Sequence, residues 1–393
     1  MKSSWSRAAL SALLAAGAAA AAVRAEVGVT DKEILVGSCA ALSGNDDFIG
    51  KQTLLGARAF LNSVNDGGGV FGRKIQLLSY DHKYDPEVAI ECFGRLQKEG
   101  IFAAAFLTGT PMAVKIVPMA DKAGIPLVGF YAASEFLADP VRRSVFAVKT
   151  SYRDEISQAA DRLWTERGVR KFGAIYQNDV VGSSILKGVK QGLEAHSAAP
   201  VATASYERGT FEHMDRAIAE VRAAAPEAVF LAGPYKPSSE VVKRIRALGW
   251  KPIFVGYSGI GWEGFIKEAG ELSEGVVLPT SIPLHTETKI PAVDRYLRAM
   301  KKYFPAEKLS MVGFEGFVDA IVFAEGLKRA GKDLTRDRLI DALDGIRDLD
   351  IGLGRELKVN YSPTDHFGLN KVLFVTIQKD GSIVRLESWT GVK

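Results

Sequence analysis

Residues 56–89 read GARAFLNSVNDGGGVFGRKIQLLSYDHKYDPEVA. Ala57, Ala59, Phe60, Leu61 and Val64 fall on one broad face, the spacing of an amphipathic helix that begins near residue 50 and also takes in Leu54 and Leu55. Gly67-Gly68-Gly69 stops it, because glycine adopts the left-handed turn that ends a helix without strain. KIQLLSY at 74–80 then predicts a strand, and Pro86 opens a second helix where its missing N–H is no loss. Helix, glycine stop, strand and proline start are the parts of a strand–helix–strand crossover.

Working outward, EILVGS at 33–38 predicts the strand before this stretch. The helix from Pro86 runs to about 98, followed by a strand at 102–107, a helix at 112–123 and a strand at 125–130. The alternation then restarts. Helices at 155–167, 183–196, 214–225 and 239–248 are interleaved with strands at 171–177, 201–206, 228–231 and 252–256. Such alternation means parallel sheets covered on both faces, here two doubly wound α/β domains. Residues 276–393 offer one strand, two long helices and a closing pair of strands at 372–378 and 383–388, too little for a third core. They are expected to complete the other two domains. This places lobe 1 at 26–148 plus 281–352 and lobe 2 at 149–280 plus 353–393. A chain that passes between lobes more than once forms a hinge and favours closing over free tumbling.

The 393 residues are 47% hydrophobic and 24% charged, ordinary for a globular protein. Residues 1–25 have a basic start (Lys2, Arg7), an Ala-rich apolar run and Val23-Arg24-Ala25, and predict a cleaved export signal. Removing the three positive charges of that segment from the formal +4 leaves +1 on the remaining 368 residues. No basic run accompanies it, which argues against nucleic acid as a partner. No later window is long and apolar enough for stable membrane insertion. Export also removes the protein from ATP and NAD pools, and no cofactor is expected. Cys39 and Cys92 are the only cysteines. An oxidising compartment permits a bridge between them, and buried small hydrophobes are the alternative.

Catalytic motifs are sparse. Gly259-Ile260-Gly261-Trp262-Glu263-Gly264 fits G-x-G-x-x-G, but it falls at the fourth strand–helix unit of its domain, and the next strand ends in Pro279-Thr280 rather than an acid. A glycine-rich turn beside a ligand cleft accounts for it better. There is no P-loop, no G-x-S-x-G, and no histidine pair at metal-binding spacing. No enzymatic activity is expected. Ligands of open α/β sheets bind beyond the carboxyl ends of the strands. Those ends hold 43–49, Thr108-Gly109-Thr110 and Tyr131-Ala132-Ala133-Ser134 in the first domain, and 178–181, Pro234-Tyr235 and Tyr257-Ser258 in the second. Thr110 and Ser134 hydroxyls beside the helix start after Pro111 would hold a carboxylate; the competing role for each is a helix cap.

ILVGSCAALSG at 34–44, the run 56–89, VPMADKAGIPLV at 117–128 and EVVKRIRALGW at 240–250 together resemble the leucine/isoleucine/valine-binding proteins, over nearly the whole chain after residue 25. The resemblance implies the type I periplasmic-binding fold, two lobes joined by three crossovers, and delivery of a ligand to an ABC permease. It places the carboxylate clamp at Thr108, Thr110, Tyr131, Ala132 and Ser134, an aromatic at Phe48 beside Ile49, and a second aromatic at Tyr235. Val181 stands where a further aromatic is expected. Ser258 stands where amino-acid receptors carry the acid that meets the ligand's ammonium. The family's disulfide is also lost, with Tyr84 in its first half.

An ammonium buried without a counter-charge is strongly unfavourable. Either Asp179 substitutes for the missing acid or the ligand has no ammonium, and the sequence favours an apolar or aromatic carboxylate with an apolar amino acid close behind. The expected protein is therefore a periplasmic receptor of an ABC importer. Alternatives are a sensor of the same fold gating a partner protein and, further off, a secreted enzyme. Phe314 and Phe317 are expected in the core.

Overall fold

The computed structural model describes residues 26–44 and 46–392, so residues 1–25, where the sequence predicts an export signal, lie outside the described residues. Strands and helices alternate as β1 (Glu33–Ala40), α1 (Asp47–Asp66), β2 (Lys74–Asp81), α2 (Pro86–Lys98), β3 (Ala103–Thr108), α3 (Thr110–Ala123), β4 (Leu127–Tyr131) and β5 (Val145–Phe146). These strands form one parallel sheet in the order β2-β1-β3-β4-β5. β3 is buried along its whole length, as a central strand covered on both faces must be.

A second sheet follows. Its parts are α4 (Tyr152–Thr165), β6 (Phe172–Gln177), α5 (Val180–Glu194), β7 (Ala202–Tyr206), α6 (Met214–Ala223), β8 (Ala228–Ala232), α7 (Tyr235–Ala247), β9 (Ile253–Val255), α8 (Trp262–Ala269) and β10 (Val277–Thr280). After α9 (Pro291–Tyr303), α10 (Met311–Ala330) and α11 (Arg336–Asp344), β11 (Leu373–Ile377) and β12 (Ile383–Arg385) return to its edge. The order is β12-β11-β10-β9-β8-β6-β7, with β11 antiparallel to both of its neighbours and the other pairings parallel. α10 packs against α1 and the first sheet, and Phe314 and Phe317 are core residues, Phe314 tilted on Tyr296 and Phe317 edge-on to Phe60.

Local chemistry starts several helices. Asp85 accepts from the N–H groups of Glu87 and Val88 ahead of Pro86, and Ser151, Ser310 and Thr335 cap α4, α10 and α11 in the same way. The structure corrects the sequence reading at three elements. β5 has two residues, too few to show alternation, and α8 is one eight-residue helix inside what reads as a glycine turn. The C-terminal part holds three helices rather than two, because α11 is only nine residues long.

Three passages between the sheets lie side by side. Ala147 N–H donates to His366 O at 3.0 Å and Leu369 N–H to Val148 O at 2.7 Å. Thr150 N–H donates to Ser281 Oγ, and its hydroxyl to Leu369 O. Cys39 at the end of β1 and Cys92 on α2 are disulfide-bonded, with Cα atoms 6.1 Å apart.

Candidate functional site

The loops after β1, β2 and β3 and the end of β4 meet those after β6, β8 and β9 around a small, tightly closed cavity of about 20 Å³. Bonds across it hold the two halves together. Tyr131 donates to Ser258 O at 3.2 Å, Arg208 to Tyr84 O at 3.0 Å, and the Met311 N–H to Glu263 Oε1 at 2.6 Å. Glu135 pairs with Lys187 and accepts from the Ser184 hydroxyl.

α3 begins inside this cavity. Its cap residue Gly109 has φ 85°, and a Cβ there would lie 2.0 Å from Met112 Cε. No side chain caps α3, Pro111 has no N–H, and the amides of Thr110 and Met112 meet no acceptor among the described residues. These amides and the helix dipole make an anion site. Ser134 does not cap its helical turn either; its hydroxyl reaches toward Thr110 Oγ1 at a long 3.5 Å. Thr108 Oγ1 accepts the Ala41 N–H at 3.0 Å and so braces the loop after β1. Buried His82 ties these loops together. Its Nε2 must carry the proton, since it donates to Thr108 O, while Nδ1 accepts from the Tyr84 N–H. Burial pushes this imidazole down to about 4, so it stays neutral.

Ile49, Thr108, Thr110, Tyr131 and Val181 line the cavity. Ala132 and Ser134 are buried and absent from its wall. Phe48 and Tyr235 pack edge-to-face on each other, ring centroids 6.2 Å apart, beside the cavity rather than on its lining. The Asp179 carboxylate caps α5 by accepting from the Val181 and Gly182 N–H groups, and its other oxygen takes the Gln177 amide. Ser258 gives its N–H to Glu155 Oε1 at 2.8 Å, and its hydroxyl has no partner among the described residues.

Sequence reasoning missed four wall residues as ligand contacts. Asp46 carries no motif that sets it apart within the loop at 43–49, and Tyr84 stands in the sequence only at the place of a lost disulfide. Tyr152 opens α4 earlier than apolar spacing suggests, and Tyr257 stands beside Ser258 at the strand end with no signal of its own. Burial holds Tyr84, Tyr131, Tyr152 and Tyr257 well above their usual range, so all four are neutral phenols. It also raises two acids, Asp46 to about 7 and Glu155 to about 8. Behind Tyr131 and Tyr152 lies Lys149, which pairs with Glu315 at 2.8 Å and sits 4.6 Å and 5.5 Å from the two ring centres. Gly259 completes the wall. A Cβ there would come within 2.2 Å of the Tyr152 hydroxyl, which is why the glycine-rich turn stands beside the cleft.

Residues 33–382 match the family model described as periplasmic binding protein. The chain belongs to that family. Leu/Ile/Val-binding protein homolog 3 of Brucella melitensis is 22% identical over 359 residues, spanning 90% of this chain and 94% of that protein. A possible leucine/isoleucine/valine-binding protein from Rhodopirellula baltica superposes with TM-score 0.86 at 24% identity, over 94% of this chain and 99% of that one. A substrate-binding periplasmic protein from Ralstonia solanacearum superposes with TM-score 0.82 at 29% identity, over 90% and 100% of the two chains. The fold is thus the type I periplasmic-binding fold. Among the described residues of this family member, no helix is long and apolar enough to cross a membrane.

Proposed function

We propose that the protein is the periplasmic receptor of an ABC importer, exported by residues 1–25, which closes on an amino acid or a related small hydrophobic or aromatic carboxylate and presents it to a permease. The lobes are 26–148 plus 281–352 and 149–280 plus 353–393. The observation that carries this reading is the uncapped start of α3, open to an inter-lobe cavity beside the Thr110 hydroxyl. A carboxylate there receives charge-assisted hydrogen bonds and the favourable end of the helix dipole. Ile49, Tyr131, Tyr152 and Val181 offer the apolar and aromatic wall for its body. The ligand acts by binding the closed arrangement better than the open one, and is released unchanged.

Native mass spectrometry of the purified protein tests this, with a bound carboxylate of low mass expected. X-ray scattering should show a smaller radius of gyration once that compound is added back. Chemical turnover of the compound, or an unchanged radius on stoichiometric binding, would count against the reading.

A further inference from the structure

Asp46 lies between β1 and α1, on the cavity wall and only 4% exposed. Its backbone is occupied, since its carbonyl accepts the N–H groups of Ile49 and Gly50 at the start of α1. Its carboxyl accepts no hydrogen bond among the described residues. Among the neighbouring acids, Asp179 has both oxygens engaged, and Glu155 takes the Ser258 N–H with one oxygen while its other oxygen is buried without a partner among the described residues; of the three only Asp46 lines the cavity. A desolvated carboxyl without a partner is costly, and a group from outside the polypeptide would remove that cost.

We propose that Asp46 determines specificity by receiving a cationic nitrogen of the ligand, so that both charged ends of a zwitterion are held by lobe 1. The carboxylate lies at the start of α3 and the nitrogen at Asp46, while Val181, Pro234 and Tyr257 of the other half close over the body. This rests on the carboxylate site proposed above. It also answers the problem Ser258 poses: the counter-charge missing from that position comes from the facing lobe. Ligand capture then begins on lobe 1 alone, before closure.

The surroundings leave the role vacant. Lys236 on α7 and Arg208 after β7 attract the Asp46 charge from a distance, and Asp47 and Asp179 oppose it. The phenols of Tyr84, Tyr206, Tyr235 and Tyr257 that sense it are neutral, each raised by burial. With its carboxyl pushed up to about 7, Asp46 is roughly half protonated at neutral pH in the ligand-free protein, and an incoming ammonium displaces that proton.

Calorimetry of the purified protein tests this with the twenty common amino acids and the desamino acid of the tightest binder, in buffers of different ionisation heat. The expected result is an amino acid bound roughly 30-fold or more tightly than its desamino acid, the range for a buried charge left unpaired. About half a proton should leave per ligand at pH 7, and more at pH 6. Asp46→Asn should lose that discrimination and the proton release while melting, without ligand, no lower than the parent. Desamino or simple carboxylates binding as tightly as amino acids, or Asp46→Asn keeping the amino-acid affinity, would overturn the role of Asp46 and leave the carboxylate receptor standing. Failure of both ligand classes would overturn the receptor reading itself.

Discussion

Thr110 is one of the few wall residues whose polar groups are not consumed by the fold. Its hydroxyl lies 3.5 Å from Ser134 Oγ and within reach of the Tyr152 phenol, and its amide meets no acceptor among the described residues, whereas the Thr108 hydroxyl is held by the Ala41 N–H. Thr110→Val should therefore weaken ligand binding by about 10- to 100-fold, the worth of a hydrogen bond to a charged group, and leave ligand-free stability nearly unchanged. Calorimetric titration beside a thermal melt separates the two effects. The strand-end rule found Thr110, Ile49, Tyr131 and Val181 in the sequence. It could not find Tyr84 and Tyr152, because what brings them to the wall is the His82 bond to the Tyr84 amide and the seat of Lys149 behind the Tyr152 ring. Both anchors are themselves set by contacts remote in the chain, His82 by Thr108 O and Lys149 by Glu315.

Among elements, the closest approach is between α1 and α10. A Cβ on Gly56 would lie 1.7 Å from Gly313 O, and one on Gly316 would lie 2.1 Å from Thr53 O, so backbone meets backbone. Gly316→Ala should cost about 2–3 kcal/mol, read from urea unfolding, since neither helix can retreat from a packed core. The disulfide clips β1 to α2 across a sequence separation of 53. Loop entropy assigns such a link about 4 kcal/mol. Cys92→Ser should lower the urea midpoint accordingly, and an unchanged midpoint would mean the unfolded chain is not constrained by the link. Both α1 and α10 were legible as helices from apolar spacing and length, but their pairing was not, because glycines at a contact look like glycines anywhere.

At the scale of the whole molecule, the inter-lobe region carries buried acids in excess of cations. Lys149 is buried against Glu315 at the first crossover. Lys149→Met should destabilise by about 3 kcal/mol or more by stranding that carboxylate, and chemical denaturation measures it. Asp46, Glu155 and Glu263 are raised by burial to about 7, 8 and 7. The folded protein thus keeps protons that the unfolded chain releases near the ordinary carboxylate value, so their stabilisation is present at low pH and lost as pH rises through 7 to 8. The ligand-free melting temperature should fall from pH 6 to pH 9 in scanning calorimetry; a rise over that window would contradict these assignments.

Periodicity, glycine stops and proline starts in the sequence determined two doubly wound α/β halves and the strand ends where a ligand would sit. Those signals are local: each is written within a dozen residues and survives whatever the rest of the chain does. Tertiary structure decided the pairing of Cys39 with Cys92, the facing of Tyr131 on Ser258, and the burial of Asp46 on the cavity wall. Each of these depends on water being excluded between surfaces far apart in sequence, and desolvation is a property of the assembled cleft rather than of any segment.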